Sequence, residues 1–501
     1  MSVRRPSTDD LRAAGAELGL ALDEADAASY LALMQGLFER YEAVDAMAEP
    51  LPEVRYPRTP GRRPDPADNP FNAWAVKTVI RGAPGGRLFG RTAAIKDNVC
   101  LAGVEMRNGS TVLQGYVPEI DATIVTRMLD EGVEILGKAV CEYYCASGGS
   151  HTSATGPVDN PAAPGHGAGG SSSGSAALVA AGLVDIATGG DQGGSIRIPA
   201  SFCGIVGIKP THGLVPYTGI FPVELTVDHA GPLARSVADC ALALEVMAGP
   251  DGLDPRQRGA PAQPYGQALS RGVAGLSVGV VEEGFATPGA EAAVDDAVRA
   301  AADRLARAGA TVERISMPLH AQGVAIWTPI FLEGATRLMM QENAFGTNMK
   351  GVFLESLMDA HARWHARADE LSDTLKLGIL TGHWMSSRHR GRFYGKAQNL
   401  NRRLTAAYDD ALARHDVLMM PTTPMAAQPQ PGPGASREEV VGRAFEMIAN
   451  TAPTCATGHP AISLPCGRTP DGRPIGAMLI ARHHDEMTLF RVARGLEAAL
   501  A

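Results

Sequence analysis

The sequence predicts an α/β protein with a central sheet covered by helices, and the alternation of its apolar patterns carries that prediction, on a chain whose length and composition suit a large core. Short apolar runs of strand character alternate with stretches whose apolar residues recur at helical spacing, as when helices cover both faces of a sheet. The 501 residues are ample for a large buried core and, by length alone, leave room for about three domains. Of these residues 45% are apolar and 20% charged, the balance of an ordinary soluble protein.

The elements follow in chain order. Ser7 followed by Asp10 marks a helix start, with Leu11, Ala14 and Leu18 on one face. A longer helix follows Asp23, and Tyr30, Leu33, Leu37, Tyr41 and Val44 form its stripe. Two helices of this size enclose no core, so their apolar faces are expected to pack on the main body or on another subunit. Pro50 to Pro70 is a proline- and arginine-rich connector. A strand then ends on Lys96, a helix spans Thr123 to Glu131 and stops at Gly132, and a strand follows at Val133 to Leu136. Val184 to Ala187 and Gly204 to Ile208 are further short apolar runs, Ser236 to Met247 is helical, and Leu276 to Val281 is a strand. Ala293 to Arg307 turns Val294, Val298, Ala301 and Leu305 inward. Aromatics gather between Pro318 and Asp416, and Val417 to Met420 returns to the strand pattern. The expected organisation is a helical extension and linker at 1–80, a core at 81–317, an inserted smaller domain at 318–416 and the rest of the core at 417–501.

Composition narrows the function. A net charge of −9 offers no broad basic surface, so nucleic acid is not an expected partner. The longest apolar run, Ala176 to Val184, is too short to span a bilayer, and no apolar segment of a secretory signal follows the first basic residues. Seven scattered cysteines read as reduced, mostly buried thiols of a cytoplasmic protein.

The chemistry is concentrated at Gly167 to Pro199, GAGGSSSGSAALVAAGLVDIATGGDQGGSIRIP. It holds two glycine-bracketed serine sites, Ser171 to Ser173 and Ser195. Glycines allow close backbone approach and let N–H groups converge on one point, the requirement for an oxyanion hole. Ser195 therefore reads as a nucleophile whose own loop supplies the donors. GSSSG formally matches G-x-S-x-G with Ser172 at its centre, but loop rather than strand precedes it. No motif singles out a histidine as base. Lys96, at the end of a strand-like run, is the other candidate.

Lys96 in AAIKDN, Ser171 in GGSSSGSAA and Ser195 in GGDQGGSIRIP, followed by SFCGIVGIKPTHGLVP, resemble the amidase signature family and its Ser-cisSer-Lys triad. The likeness resumes at MMPTTP and ATGHPAISLPCG. DQGGSIRIP, GLVPYTGIFPVE and the helical extension look most like the amidases that accompany nitrile hydratases. The resemblance implies the amidase-signature fold, a mixed sheet covered by helices, with Ser195 as nucleophile, Ser171 as proton relay across a cis Gly170–Ser171 peptide, and Lys96 as base. Backbone N–H groups of Gln192, Gly193, Gly194 and Ser195 would form the oxyanion hole. The implied activity is hydrolysis of a small-molecule amide through an acyl-enzyme, without cofactor. The alternatives are an amidotransferase A-type subunit, or a hydrazide, anilide or ester hydrolase. Ala146 in CEYYCASGG, where a ring is expected in relatives, implies a roomy apolar acyl pocket suited to aromatic or branched groups, with Gln192, Val227 and Trp327 as further lining. The uncovered helical extension implies a homodimer.

Other constellations carry less. His361 and His365 lack the glutamate of HExxH and a third ligand. His483, His484, Asp485 and Glu486 read as a solvated turn, and no metal is expected. Cys141 and Cys145 suit packing, and Lys138 has no catalytic duty. Asp97 and Asn98 are expected to orient the loop after Lys96, and Asp191 and Arg197 to hold the Gly193 to Ser195 turn.

Overall fold

The computed structural model describes residues 3–500 and divides into two compact units, Met1–Pro52 and Glu53–Ala501. The first is a helix pair, α1 (Thr8–Glu17) and α2 (Glu24–Asp45). The Ser7 side chain accepts from Asp10 N–H while Asp10 accepts from the Ser7 N–H, and Asp23 caps α2 through Asp26 N–H. Gly15 gives α1 a flat surface against Leu22, whereas the expected stripe of α2 stays exposed: Leu33 is 72% and Val44 68% accessible.

The second unit is built on one mixed sheet. Its strands are β1 (Trp74–Arg81), β2 (Thr92–Lys96), β3 (Glu134–Ala139), β4 (Ile186–Asp191), β5 (Val206–Lys209), β6 (His229–Ala234), β7 (Ser277–Val281), β8 (Thr311–Ile315), β9 (Val417–Pro421), β10 (Ala461–Arg468) and β11 (Pro474–Ile480). Their spatial order is β1-β3-β2-β4-β6-β5-β10-β11-β9-β7-β8. β2 runs parallel to β3 and β4, and β7 to β8 and β9, while the other pairs are antiparallel. The central strands β4, β5, β6, β9 and β11 are buried along their whole length, as a sheet covered on both faces requires.

The covering helices include α3 (Thr123–Asp130), α4 (Ser173–Ala180), α5 (Arg197–Cys203), α6 (Val237–Met247) and α7 (Ala292–Arg307). α7 buries Val294, Val298, Ala301 and Leu305, the stripe expected from its sequence. Between β8 and β9 the regular elements are helices, the α-helices being α8 (Gly323–Ala335), α9 (Glu355–His361), α10 (Asp373–His389) and α11 (Arg392–Leu412). After β9 come α12 (Arg437–Phe445) and α13 (Thr451–Thr457), and α14 (Glu486–Leu500) closes the chain. No described helix is long and apolar enough to cross a membrane.

What positions the site is the pairing of β2 with β4. These parallel neighbours end at the same edge of the sheet, β2 on Lys96 and β4 on Asp191, directly before the Gln192–Ser195 loop. The carboxyl ends of parallel strands are where open α/β sheets place their ligands.

Candidate active site

Lys96 and Ser171 are fully buried, and Lys96 Nζ lies 2.9 Å from Ser171 Oγ and 3.4 Å from the Gly190 carbonyl. The Lys96 backbone is pinned across the sheet, its N–H donating to Thr188 Oγ1 at 2.9 Å. The Gly170–Ser171 peptide is cis, as the resemblance implied. The Ser172 N–H donates to the Ser195 carbonyl at 3.3 Å, which ties the two serine loops together. The Ser172 hydroxyl is taken up by the backbone, donating to the Gly190 carbonyl at 3.3 Å, so the central serine of GSSSG is a brace.

The loop carrying Ser195 is shaped by a buried ion pair. Asp191 Oδ1 accepts from the Gly194 N–H at 2.7 Å and from Arg197 Nη2 at 3.0 Å, and Oδ2 accepts from the Ile196 N–H at 3.1 Å and Arg197 Nε at 3.0 Å. Burial pushes the Asp191 carboxyl up, but the Arg197 charge and hydrogen bonds outweigh it and hold the group well below the usual carboxylate range. Gly194 has φ +136°, and a Cβ there would come 2.3 Å from Thr451 Oγ1. Thr451 Oγ1 itself donates to the Gly193 carbonyl at 2.6 Å, and Trp327 Nε1 donates to the Gln192 carbonyl at 2.7 Å. With the Gly194 N–H committed to Asp191, the remaining expected oxyanion donors are the N–H groups of Gln192, Gly193 and Ser195.

Ser195 is 7% accessible and lines a small hollow with Cys145, Gly148, Gly193, Ile198 and Trp327. Trp327, Phe331, Phe445 and Ile448 are shared with an adjoining cavity of about 250 Å³, whose wall also includes Ala146, Met339 and Leu375. The Trp327 and Phe331 rings stack at 4.6 Å. A larger cavity of about 680 Å³, lined by Glu224, Glu333, Arg337 and Tyr394 among others, has none of Ser171, Ser195 and Lys96 in its wall.

A sequence model of the Amidase family matches residues 72–490. The chain belongs to the amidase family. It is 50% identical over 436 residues to an enantioselective amidase of Rhodococcus rhodochrous, covering 86% of this chain and 84% of that one. Identity to the A-type subunit of a glutamyl-tRNA(Gln) amidotransferase from Haloarcula marismortui is 37% over 432 residues, 85% of this chain and 99% of the relative. The structure of a peptide amidase from Stenotrophomonas maltophilia superposes with a TM-score of 0.67 at 30% identity, covering 83% of each chain.

Within this amidase the expected residues separate into those at the cavity and those beside it. Ser195 and Trp327 line the small hollow and Ala146 and Trp327 the adjoining cavity, while Lys96 and Ser171 are paired with each other in full burial beside the serine loops. Gln192 contributes backbone to the loop, but its side chain turns away, Nε2 donating to Tyr217 OH and Asp228 Oδ1 at 2.9 Å each. Val227 is buried in the core, its carbonyl 2.7 Å from His229 Nδ1, and does not line the acyl-side cavity. Lys138 donates to the Val99 carbonyl at 2.5 Å and lies 3.5 Å from Asp97, so the pair braces the turn after Lys96. His361 is buried between Tyr144 OH and the Met339 carbonyl, a packing histidine. The sequence reading missed Phe331, Phe445, Ile448 and Thr451, which come from segments far apart in the chain with no motif to mark them.

Proposed function

We propose that this amidase cleaves carboxylic amides through an acyl-enzyme on Ser195, with Ser171 as relay and Lys96 as base. The observation that carries the reading is the buried 2.9 Å contact between Lys96 Nζ and Ser171 Oγ, next to the loop that presents Ser195 to an apolar cavity. As the base, Lys96 accepts a proton at Nζ. It takes the Ser171 proton as Ser171 takes that of Ser195, and Ser195 Oγ attacks the amide carbonyl. The oxyanion is held by the loop N–H groups, the leaving amine receives the proton back along the relay, and water repeats the cycle to free the acid. Turnover of amides by the purified chain alone, in a panel with anilides, hydrazides and esters, tests this reading. Amide cleavage only with partner subunits would favour ammonia release for a tRNA-dependent amidotransferase.

The acyl group we assign is aromatic or branched and apolar. The 250 Å³ cavity is walled by Trp327, Phe331, Leu375, Phe445 and Ile448, and Ala146 leaves space where a ring would fill it. A phenyl group that buries on the order of 100 Å² gains about 2.5 kcal/mol. Ala146→Phe is therefore expected to lower kcat/KM for benzamide about 70-fold while leaving acetamide within about threefold. Equal losses for both substrates would remove Ala146 from the pocket.

The expected homodimer rests on α2, where Tyr30, Leu33, Leu37, Tyr41 and Val44 are between 48% and 72% accessible. A contiguous apolar stripe of this kind marks a protein interface. Leu33→Glu with Leu37→Glu is expected to give a monomer by sedimentation velocity. A wild-type monomer at micromolar concentration would end this reading. All seven cysteines are buried free thiols, which suits a reducing cytoplasm.

A further inference from the structure

Away from the serine loops, the fold brings together Asp409 on α11, His459 just after α13 and His483 in the turn between β11 and α14. His459 Nε2 lies 3.1 Å from Asp409 Oδ1, and His483 Nδ1 lies 3.9 Å from the same oxygen. One ligand atom from each residue falls within 4.8 Å of the others. We propose that these three side chains form a binding site for a divalent transition-metal ion, with Zn²⁺ as the ion tested.

The hydrogen bonds around the rings support the assignment. His483 Nε2 is 3.0 Å from the Thr457 carbonyl, which only accepts, so that nitrogen carries the ring proton. In the neutral ring Nδ1 then presents a bare lone pair toward a carboxylate oxygen 3.9 Å away. Two electron-rich atoms face each other across a gap that a cation would fill. His459 Nδ1 is held at 3.0 Å by Thr457 Oγ1, an outer partner of the kind that orients a metal-bound imidazole and leaves Nε2 for the ion. The rings of His459 and His483 lie 3.9 Å apart at 37°, side by side against the same carboxylate oxygen.

The donor set and spacing suit zinc. Tetrahedral Zn²⁺ with bonds of about 2.0–2.1 Å needs ligand atoms about 3.3 Å apart, which small side-chain rotations here would supply. Two imidazoles and one carboxylate are a donor set that zinc accepts, with a fourth position left for water. His459 is buried, but the Asp409 side chain is 56% and that of His483 34% accessible, which gives the ion an approach from solvent. The expectation of no metal rested on His483, His484, Asp485 and Glu486 as neighbours in sequence. The partners that matter for His483 are 24 and 74 residues away in the chain.

The test uses the full chain without a histidine tag, stripped with chelator, then dialysed against Zn²⁺ beside Asp409→Asn and His483→Gln. The wild type should retain one Zn²⁺ per chain, and each variant should bind about 100-fold more weakly or worse. Amide hydrolysis by the metal-free proteins should be the same in all three. Co²⁺ in the wild type should show visible ligand-field bands of imidazole and carboxylate coordination, a readout that does not depend on either variant folding. No saturable Zn²⁺ uptake by the wild type, or undiminished uptake by either variant, overturns the site.

Discussion

Ser195→Ala is expected to lower kcat by about 10⁶-fold, the scale seen when the nucleophile of a catalytic triad is removed, and to abolish the acyl-enzyme. The serine hydroxyls of the neighbouring GSSSG loop are each engaged elsewhere. Ser171 is fully buried against Lys96, Ser172 Oγ is bonded to the Gly190 carbonyl, and Ser173 Oγ lies 3.5 Å from the Val140 carbonyl. The loop itself should survive, because Ser195 is tied to Ser172 through its backbone carbonyl and not its hydroxyl. Amide binding should therefore persist in the variant while turnover does not. Intact mass after rapid acid quench reads the adduct directly. A covalent acyl group on the Ser195→Ala protein would transfer the nucleophile to another residue, with Cys145, on the same hollow, the first to examine.

Much of this arrangement could be read from local sequence, and the reason is physical. Helix starts at Ser7, Asp23 and Ser236 were legible because a short polar side chain there accepts from the N–H three residues on. β7 and β9 were legible as apolar runs because both of their faces are buried, whereas the run expected at Val184 to Ala187 meets β4 only at Ile186 and Ala187, since the rest of that strand is TGGD. β6 was not, since HAGPLA carries Gly231 and Pro232 and reads as a turn, although it lies between β4 and β5. β8 is TVERI on the outer edge of the sheet, with half-polar character that gives no apolar run. The site divides the same way. The serines and glycines announce themselves because the chemistry needs them in one loop, whereas the Thr451 bond to the Gly193 carbonyl spans 258 residues and leaves no local trace. Val227, expected at the pocket from the resemblance, lies in the core beside a strand that the sequence did not reveal.

Asp191→Asn is expected to destabilise the fold by about 3–5 kcal/mol, the cost of leaving a buried charge without its partner, and to cripple turnover at the same time. Both Asp191 and Arg197 are fully shielded from solvent, and the carboxylate receives two bonds from the guanidinium plus the N–H groups of Gly194 and Ile196. An amide of the same shape keeps one oxygen but points an NH₂ at groups that are themselves donors. The Gly193–Ser195 turn would lose the anchor that sets its N–H directions, so the defect should fall on kcat more than on KM. The sign with pH follows from the depressed carboxyl. Its contribution is fully present above the unfolded value of about 4 and is lost as pH falls through that value toward the folded one, so the wild type's advantage should shrink below about pH 4. A second change separates stability from chemistry: Asp191→Asn with Arg197→Met removes the orphaned charge and should recover part of the unfolding free energy in urea without restoring turnover. If the double variant were no more stable than the single one, the ion pair would not be what holds this turn.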